Sequence, residues 1–563
     1  MKKLNVIVIC FCILLGACSN SANVRVEEVD ITPPYKAYSD LEYPDSPLTA
    51  LVKDAVIRNT HYVTVLNNGD DALLARLHLI RKAQRSIYIQ TFIFSDDESC
   101  IFLADELLLA AKRGVKVKLI IDGLGMPKDL SLIAFLISSS DNIQVKCYNP
   151  VSSVVLPSKL ALIEKMGLDF IGVNQRMHNK IFVIDNVIAI TGGRNFQNDY
   201  FDRSRKRNFK DRDILIVGPE VEKMSVSFAQ YWNFELSVAS DHMSNIGALL
   251  KKQSYRKYLD GTVRRAVTLF ADLNTIEADS NIVKKKLVDV SYDVTKVNFI
   301  ADKPGKTENI GRKKISKTAF ELRMFLSDCE NLVVMQTPYL VAGKKMTKFF
   351  KKLARNEPDV RFLVSSNSLA AADHVHAYAF SYKNKKKYLK NFRWEIFEFK
   401  PSPEDEDAMI SPLNKEHRQE DYITCIHAKT YVVDSKKVWV GSFNLSPRSV
   451  SLNTEVGLII NDEEVAKAIE DDIRKDMSEQ NSWTIGRRPA VPVVSRFSRP
   501  VASLIRAVPV VDVWPFTYSG CFELKEGKAP VPYYHEEFYE RYKYVGPFPK
   551  VRIGGEKETN ASC

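Results

Sequence analysis

The feature that most limits what this chain can fold into is a long internal repeat. MHNKIFVIDNVIAITGGRNFQNDYF, from Met177 to Phe201, is answered about 250 residues later by IHAKTYVVDSKKVWVGSFNLSPRS, from Ile426 to Ser449. Each copy carries a histidine, a lysine two residues on, then an aspartate, then a glycine-containing run that ends in asparagine. A period this long is not that of a solenoid. It predicts two similar halves packed about a pseudo-twofold axis, with one shared cleft.

Apolar runs around each copy alternate between strand and helix spacing. SIYIQTFIF, VKVKLIIDG, NLVVMQTPYL and DVRFLVSSNS read as strands, and FLADELLLAAKRG, MTKFFKKLARN and DEEVAKAIEDDIRKDM as helices. The pattern predicts an α/β fold with a first domain over 72–240 and a second over 319–480. A mixed, lysine-rich connection over 241–318 joins them. Residues 481–563 begin basic and proline-punctuated and then turn aromatic. They read as a C-terminal extension packed on the body, with a membrane-interface role for the rings as the alternative.

The N-terminus stands apart. MKKLNVIVICFCILLGACSN has two lysines, an apolar run and small residues, so 1–17 read as a secretory signal. Leu15 to Cys18 resembles the lipobox of bacterial lipoproteins, which implies cleavage before Cys18 and acylation of its thiol. Residues 18–71 then form the lipidated N-terminus and a tether. Ser19, where an aspartate would favour inner-membrane retention, implies an outer-membrane address facing the periplasm of the bacterial cell envelope. The remaining six cysteines are scattered without zinc-ligand spacing or a disulfide framework. A formal charge of +11 suits an anionic partner, either lipid or nucleic acid.

In a strand, residues two apart share a face, so His178 projects with Lys180, and His427 with Lys429. Asp185 and Asp434 fall at hairpin turns and are expected to pin backbone rather than to act as acid or base. The returning strands bring Asn195 and Asn444 back toward the histidines, with the Ser442 hydroxyl beside them. Two imidazoles, two ammonium groups, two carboxamides and a hydroxyl suit a tetrahedral phosphate. One imidazole would attack phosphorus while the other protonates the departing oxygen. Each histidine needs an orienting carboxylate, and Asp213 and Glu455, at the starts of downstream strands, are the candidates. This chemistry requires no metal and no cofactor.

These residues resemble the HKD motifs of the phospholipase D superfamily, over roughly 72–480. RMHNKIFVID, GGRNFQNDYF, FAQYWN, SSNSLAAADHVHAYAFSYK, HAKTYVVD and GSFNLSPRSVSLNTEVG are most similar to bacterial cardiolipin synthases. The resemblance implies two pseudo-symmetric α/β/α domains packed face to face. It makes His178, Lys180, Asp185, His427, Lys429 and Asp434 the catalytic motif residues, with His178 as nucleophile and His427 as general acid. It implies a monomeric phosphatidyltransferase or phospholipase D acting on glycerophospholipids such as phosphatidylglycerol and phosphatidylethanolamine, held at the membrane by its lipid. A metal-independent HKD endonuclease is the alternative, and a non-catalytic lipid-binding lipoprotein is a third class. The anchor and the paired motifs in one chain argue against nucleic acid. Asp96-Asp97-Glu98-Ser99-Cys100 and the aromatic tail depart from the family pattern and bear on the choice of acceptor.

Overall fold

The structure, a computed structural model, describes residue 43 and residues 45–550 apart from 254, 257–265, 267, 310–314, 412–414, 416–417 and 490–517. The signal segment and residues 18–42 of the tether, with Cys18, lie outside the described residues.

The strands of the first half are β1 (His61–Leu66), β2 (Ser86–Thr91), β3 (Lys116–Asp122), β4 (Ile143–Tyr148), β5 (Ile181–Ile184), β6 (Ile188–Gly192), β7 (Arg207–Lys210), β8 (Asp213–Val217) and β9 (Ser237–Ala239). The connection supplies β10 (Tyr292–Val294) and β11 (Val297–Ala301). The second half has β12 (Leu332–Gln336), β13 (Arg361–Asn367), β14 (Glu395–Phe399), β15 (Ile423–Ile426), β16 (Thr430–Val433), β17 (Lys437–Gly441), β18 (Val456–Ile460) and β19 (Ser482–Arg487). The extension adds β20 (Ser519–Leu524) and β21 (Tyr542–Gly546).

One sheet runs β10-β1-β8-β6-β5-β2-β3-β4-β9, and the other β11-β18-β17-β16-β12-β13-β14-β19-β20-β21. From β1 to β9 and from β11 to β19 the same eight-strand order recurs, so the sequence repeat is a repeat of topology. β2, β3 and β4 are parallel, as are β12, β13 and β14, while β5–β6 and β16–β17 are antiparallel hairpins. Apart from Lys437, which opens β17, the hairpin strands are buried throughout, as strands covered on both faces must be.

Outer helices such as Glu98–Lys112 and Lys344–Asn356 cover one face of each sheet. The inner faces share a single core. Helix Val221–Trp232 contributes Met224 and Phe228, helix Glu463–Asp476 contributes Ile469 and Ile473, and all four belong to one buried cluster with Val183, Ile216, Val432 and Leu458. Truncating Phe228 in such a core would cost about 3–5 kcal/mol. This shared core is the face-to-face packing of two pseudo-symmetric domains.

Three sequence-based boundaries need correction. The segment read as tether contains helix Leu48–Arg58, which buries Leu48, Leu51, Val52 and Ala55, and β1, which pairs with β8. The apolar spacing of that helix was masked by Pro44 and Pro47. The connection is not a passive linker, because β10 pairs with β1 and β11 with β18, closing an edge of each sheet. The second domain runs past 480, because β19 pairs with β14 as β9 pairs with β4, and the extension then continues this sheet, with Phe522, Tyr533, Phe538 and Tyr542 in its core.

Candidate active site

The two motif histidines precede β5 and β16, and each is placed by a short parallel pairing between the halves. Met177 bridges Thr454, and the His178 N–H donates to the Thr454 carbonyl at 3.0 Å. The residue after Thr454 is Glu455, whose Oε2 lies 2.8 Å from His178 Nδ1. In the other half β15 pairs with β7 so that Ile426 faces Lys210, and the His427 N–H donates to the Lys210 carbonyl at 2.8 Å. The residue after Lys210 is Asp211, whose Oδ2 lies 2.6 Å from His427 Nδ1. Register alone therefore assigns each histidine its carboxylate, and in both cases that carboxylate comes from the opposite half.

Asp213 does not orient a histidine. Its carboxylate receives Arg76 Nη2 at 2.8 Å, and Arg194 lies 3.7 Å away. In the repeat, Asp213 faces Gly192 as Gly457 faces Gly441, so the equivalent of Glu455 is Asp211, two residues earlier. Gly193 accommodates it: a Cβ there would fall 2.1 Å from Asp211 Oδ1. Ser442, the matching residue in the second half, donates its hydroxyl to Glu455 Oε2 at 2.5 Å and accepts the Val456 N–H at 3.0 Å. Ser442 thus holds the orienting carboxylate, and its hydroxyl is not directed to a phosphate.

The strand ends are clamped. Asp122, at the end of β3, accepts the Met177 N–H at 2.8 Å and Arg176 Nη1 at 3.2 Å. Asn367, at the end of β13, accepts the Ile426 N–H at 2.7 Å and donates to the Ile426 carbonyl at 2.8 Å. Asp185 accepts the backbone N–H groups of Gln84, Arg85 and Ser86, and Asp434 those of Glu330, Asn331 and Leu332. Both aspartates have positive φ, as do Asn186 and Ser435 after them, the backbone of a type I′ hairpin turn. These two carboxylates hold backbone and are remote from proton transfer.

Lys180 Nζ donates to the His178 carbonyl at 2.8 Å, and Lys429 Nζ lies against the His427 carbonyl and 2.8 Å from its Nδ1. Burial depresses Lys180 to about 7 and Lys429 to about 8, against partial support from nearby carboxylates. Burial likewise lowers the His178 imidazole and, with the Lys429 charge, takes His427 down to about 4. Burial alone would push the Asp211 and Glu455 carboxyls up. The charges and hydrogen bonds of the histidines outweigh it and hold both below the ordinary carboxylate value. Carboxylates at both Nδ1 atoms fix the Nδ1–H tautomers and leave two Nε2 lone pairs for substrate.

The asparagines differ. Asn195 accepts the Ile93 N–H at 3.2 Å and donates to Tyr200 Oη at 2.9 Å. Asn444 Oδ1 is buried with no hydrogen-bond partner among the described residues. Tyr200 was not anticipated: its hydroxyl lies 3.4 Å from His427 Nε2, and its ring meets the imidazole edge-on. Phe92 packs edge-on against His178 in the same way.

A family model described as "Cardiolipin synthase, PLD-like domain" matches the chain twice, at residues 77–232 and 322–477. The chain belongs to the phospholipase D superfamily. It is an enzyme of that superfamily in which both PLD-like domains lie on one polypeptide. An uncharacterized protein of Helicobacter pylori (strain ATCC 700392 / 26695) is 31% identical over 449 residues, 78% of this chain and 84% of that one. Cardiolipin synthase C of Escherichia coli K12 is 29% identical over 417 residues, 72% of this chain and 82% of that one. A crystal structure of phosphatidylserine synthase from Haemophilus influenzae aligns with a TM-score of 0.49 at 15% identity, covering 81% of this chain and 96% of that one.

Proposed function

We propose that the chain transfers a phosphatidyl group from a glycerophospholipid to an alcohol through a phosphohistidine, giving cardiolipin when phosphatidylglycerol is both donor and acceptor. The observation that carries this reading is the pair of buried imidazoles, each with Nδ1 on a carboxylate of the opposite half. Kinship with E. coli cardiolipin synthase C supports the lipid substrate. His178 Nε2 attacks phosphorus and the bond to the headgroup oxygen breaks. His427, protonated at Nε2 in the substrate complex, gives its proton to that oxygen. An acceptor hydroxyl then loses its proton to His427 and attacks phosphorus, and the P–N bond breaks. Lys180 and Lys429 supply positive charge to the non-bridging oxygens. We place the chain at the outer membrane, anchored through Cys18 as a monomer.

Incubating purified protein with phosphatidylglycerol, phosphatidylethanolamine or phosphatidylcholine and reading products by mass spectrometry tests the proposal. Cardiolipin from phosphatidylglycerol, undiminished by EDTA, is the expected result. Nicking of plasmid DNA with no lipid product would replace the reading with that of an endonuclease.

A further inference from the structure

Helix Lys159–Leu168 buries none of its residues. Leu160 is 76% exposed, Ile163 65% and Leu168 80%, and Phe170 and Ile171 in the next short helix are also exposed. Apolar side chains of this size are seldom left uncovered so close together. The segment stands at the cleft. Asn149, just past β4, donates to the carbonyls of Gly172 and Gln175, and three residues beyond Gln175 is His178. Arg448 of the second half reaches Asn174 at 2.8 Å, so the segment is seated at the junction of the halves. Exposed Leu124 lies on the same rim, two residues beyond the clamping Asp122.

The opposite lip repeats the arrangement. Asp373, whose charge acts on His427 and Lys429, precedes helix Val375–Phe392, where Val375 and Phe380 are exposed. Lys383, Lys386 and Lys390 of that helix are exposed, and Lys159 and Lys165 are exposed on the first lip. Apolar side chains thus flank the cleft on both sides, with cations beside them.

We infer that this rim is a docking surface for an anionic phospholipid bilayer. The inference rests on the proposed lipid chemistry and adds to it how the substrate is reached. Leucine, isoleucine and phenylalanine enter the headgroup–acyl boundary while lysines meet lipid phosphates, the division of labour of an interfacial helix. A bilayer fits both lips at once, and the exposed cations complement its charge. A phosphatidyl group then enters the cleft with its acyl chains still among those of its neighbours.

The test compares the full chain with a variant carrying Leu160→Gln, Ile163→Gln, Leu168→Gln and Phe170→Gln, all exposed positions outside the catalytic machinery. Hydrogen exchange of amides 159–174 is followed with and without vesicles of phosphatidylcholine and phosphatidylglycerol, alongside turnover of those vesicles and of monomeric dihexanoyl phosphatidylglycerol. Protection is expected in the parent and not in the variant. The variant's vesicle rate should fall about tenfold or more while its monomer rate holds within about twofold. Absent protection, an unchanged vesicle rate, or sedimentation showing that the variant dissociates a dimer would each overturn the inference. A parent chain inactive on both lipids would instead sink the proposed chemistry, and the exchange data would still read the surface.

Discussion

His178 and Glu455 lie 2.8 Å apart although 277 residues separate them in the chain, and each belongs to a different half. Asp211 and His427 repeat the relationship in reverse. Each proton-handling unit is thus assembled across the interface.

Glu455→Gln and Asp211→Asn are expected to lower kcat by on the order of 10²–10⁴, because a carboxamide no longer stabilises the imidazolium or enforces the tautomer. Both should keep near-native circular dichroism. Asp213→Asn should behave differently, since it leaves buried Arg76 without its counter-charge. A loss of about 3–5 kcal/mol in urea unfolding is expected. Equal kinetic defects at Asp211 and Asp213 would contradict the assignment.

Gly193→Ala should lose activity before it loses stability. The added Cβ would press on Asp211 Oδ1, which is already bonded to His427 through the same carboxylate. A fall in kcat of about tenfold or more with a melting temperature shifted by only a few degrees is the expected pattern.

The pH profile of kcat/KM should be bell-shaped. On the acid side the rate rises as the nucleophile His178 loses its proton, at a pH that burial sets below the ordinary imidazole value. On the basic side it falls as Lys180 discharges near 7 and Lys429 near 8. A profile flat between about 5 and 9 would count against both assignments.

Lys180 also links activity to stability. The unfolded chain keeps this proton up to about 10.5, the folded site only to about 7. Between those values the unfolded state binds more protons, so this group's contribution to stability rises with pH. Its cost to the fold is complete below about 7 and gone above about 10.5. Lys180→Met should therefore raise stability at about pH 6 by on the order of 1–2 kcal/mol while abolishing turnover, as thermal melts at several pH values would show.

Asp185→Ala and Asp434→Ala should each cost about 2–4 kcal/mol by stranding three backbone N–H groups. Activity per folded molecule should change much less than in Glu455→Gln, which titration of active sites in the soluble fraction would read.

What was legible in the sequence was what local spacing controls. The strand period put His178 with Lys180 and His427 with Lys429, and the turn residues marked Asp185 and Asp434 as backbone-holding. The orienting carboxylates depend on inter-half register, which no local pattern encodes. Counting from the start of the apolar run therefore selected Asp213, whereas aligning the two halves on their glycine-facing positions selects Asp211. Ser442 was misplaced for the same reason, because the fate of its hydroxyl is decided by Glu455. Tyr200 gave no signal, since an aromatic in a loop reads as ordinary packing. The N-terminal helix was hidden by prolines that mark its approach, not its absence.

The exchange of carboxylates between halves has a consequence for inheritance. Neither half is a spare: a lesion in one disarms the histidine of the other, so gene truncation should leave no residual half-enzyme. Two separately expressed fragments would have to recombine face to face before either could turn over substrate, and drift in one copy of the repeat is answerable to the other.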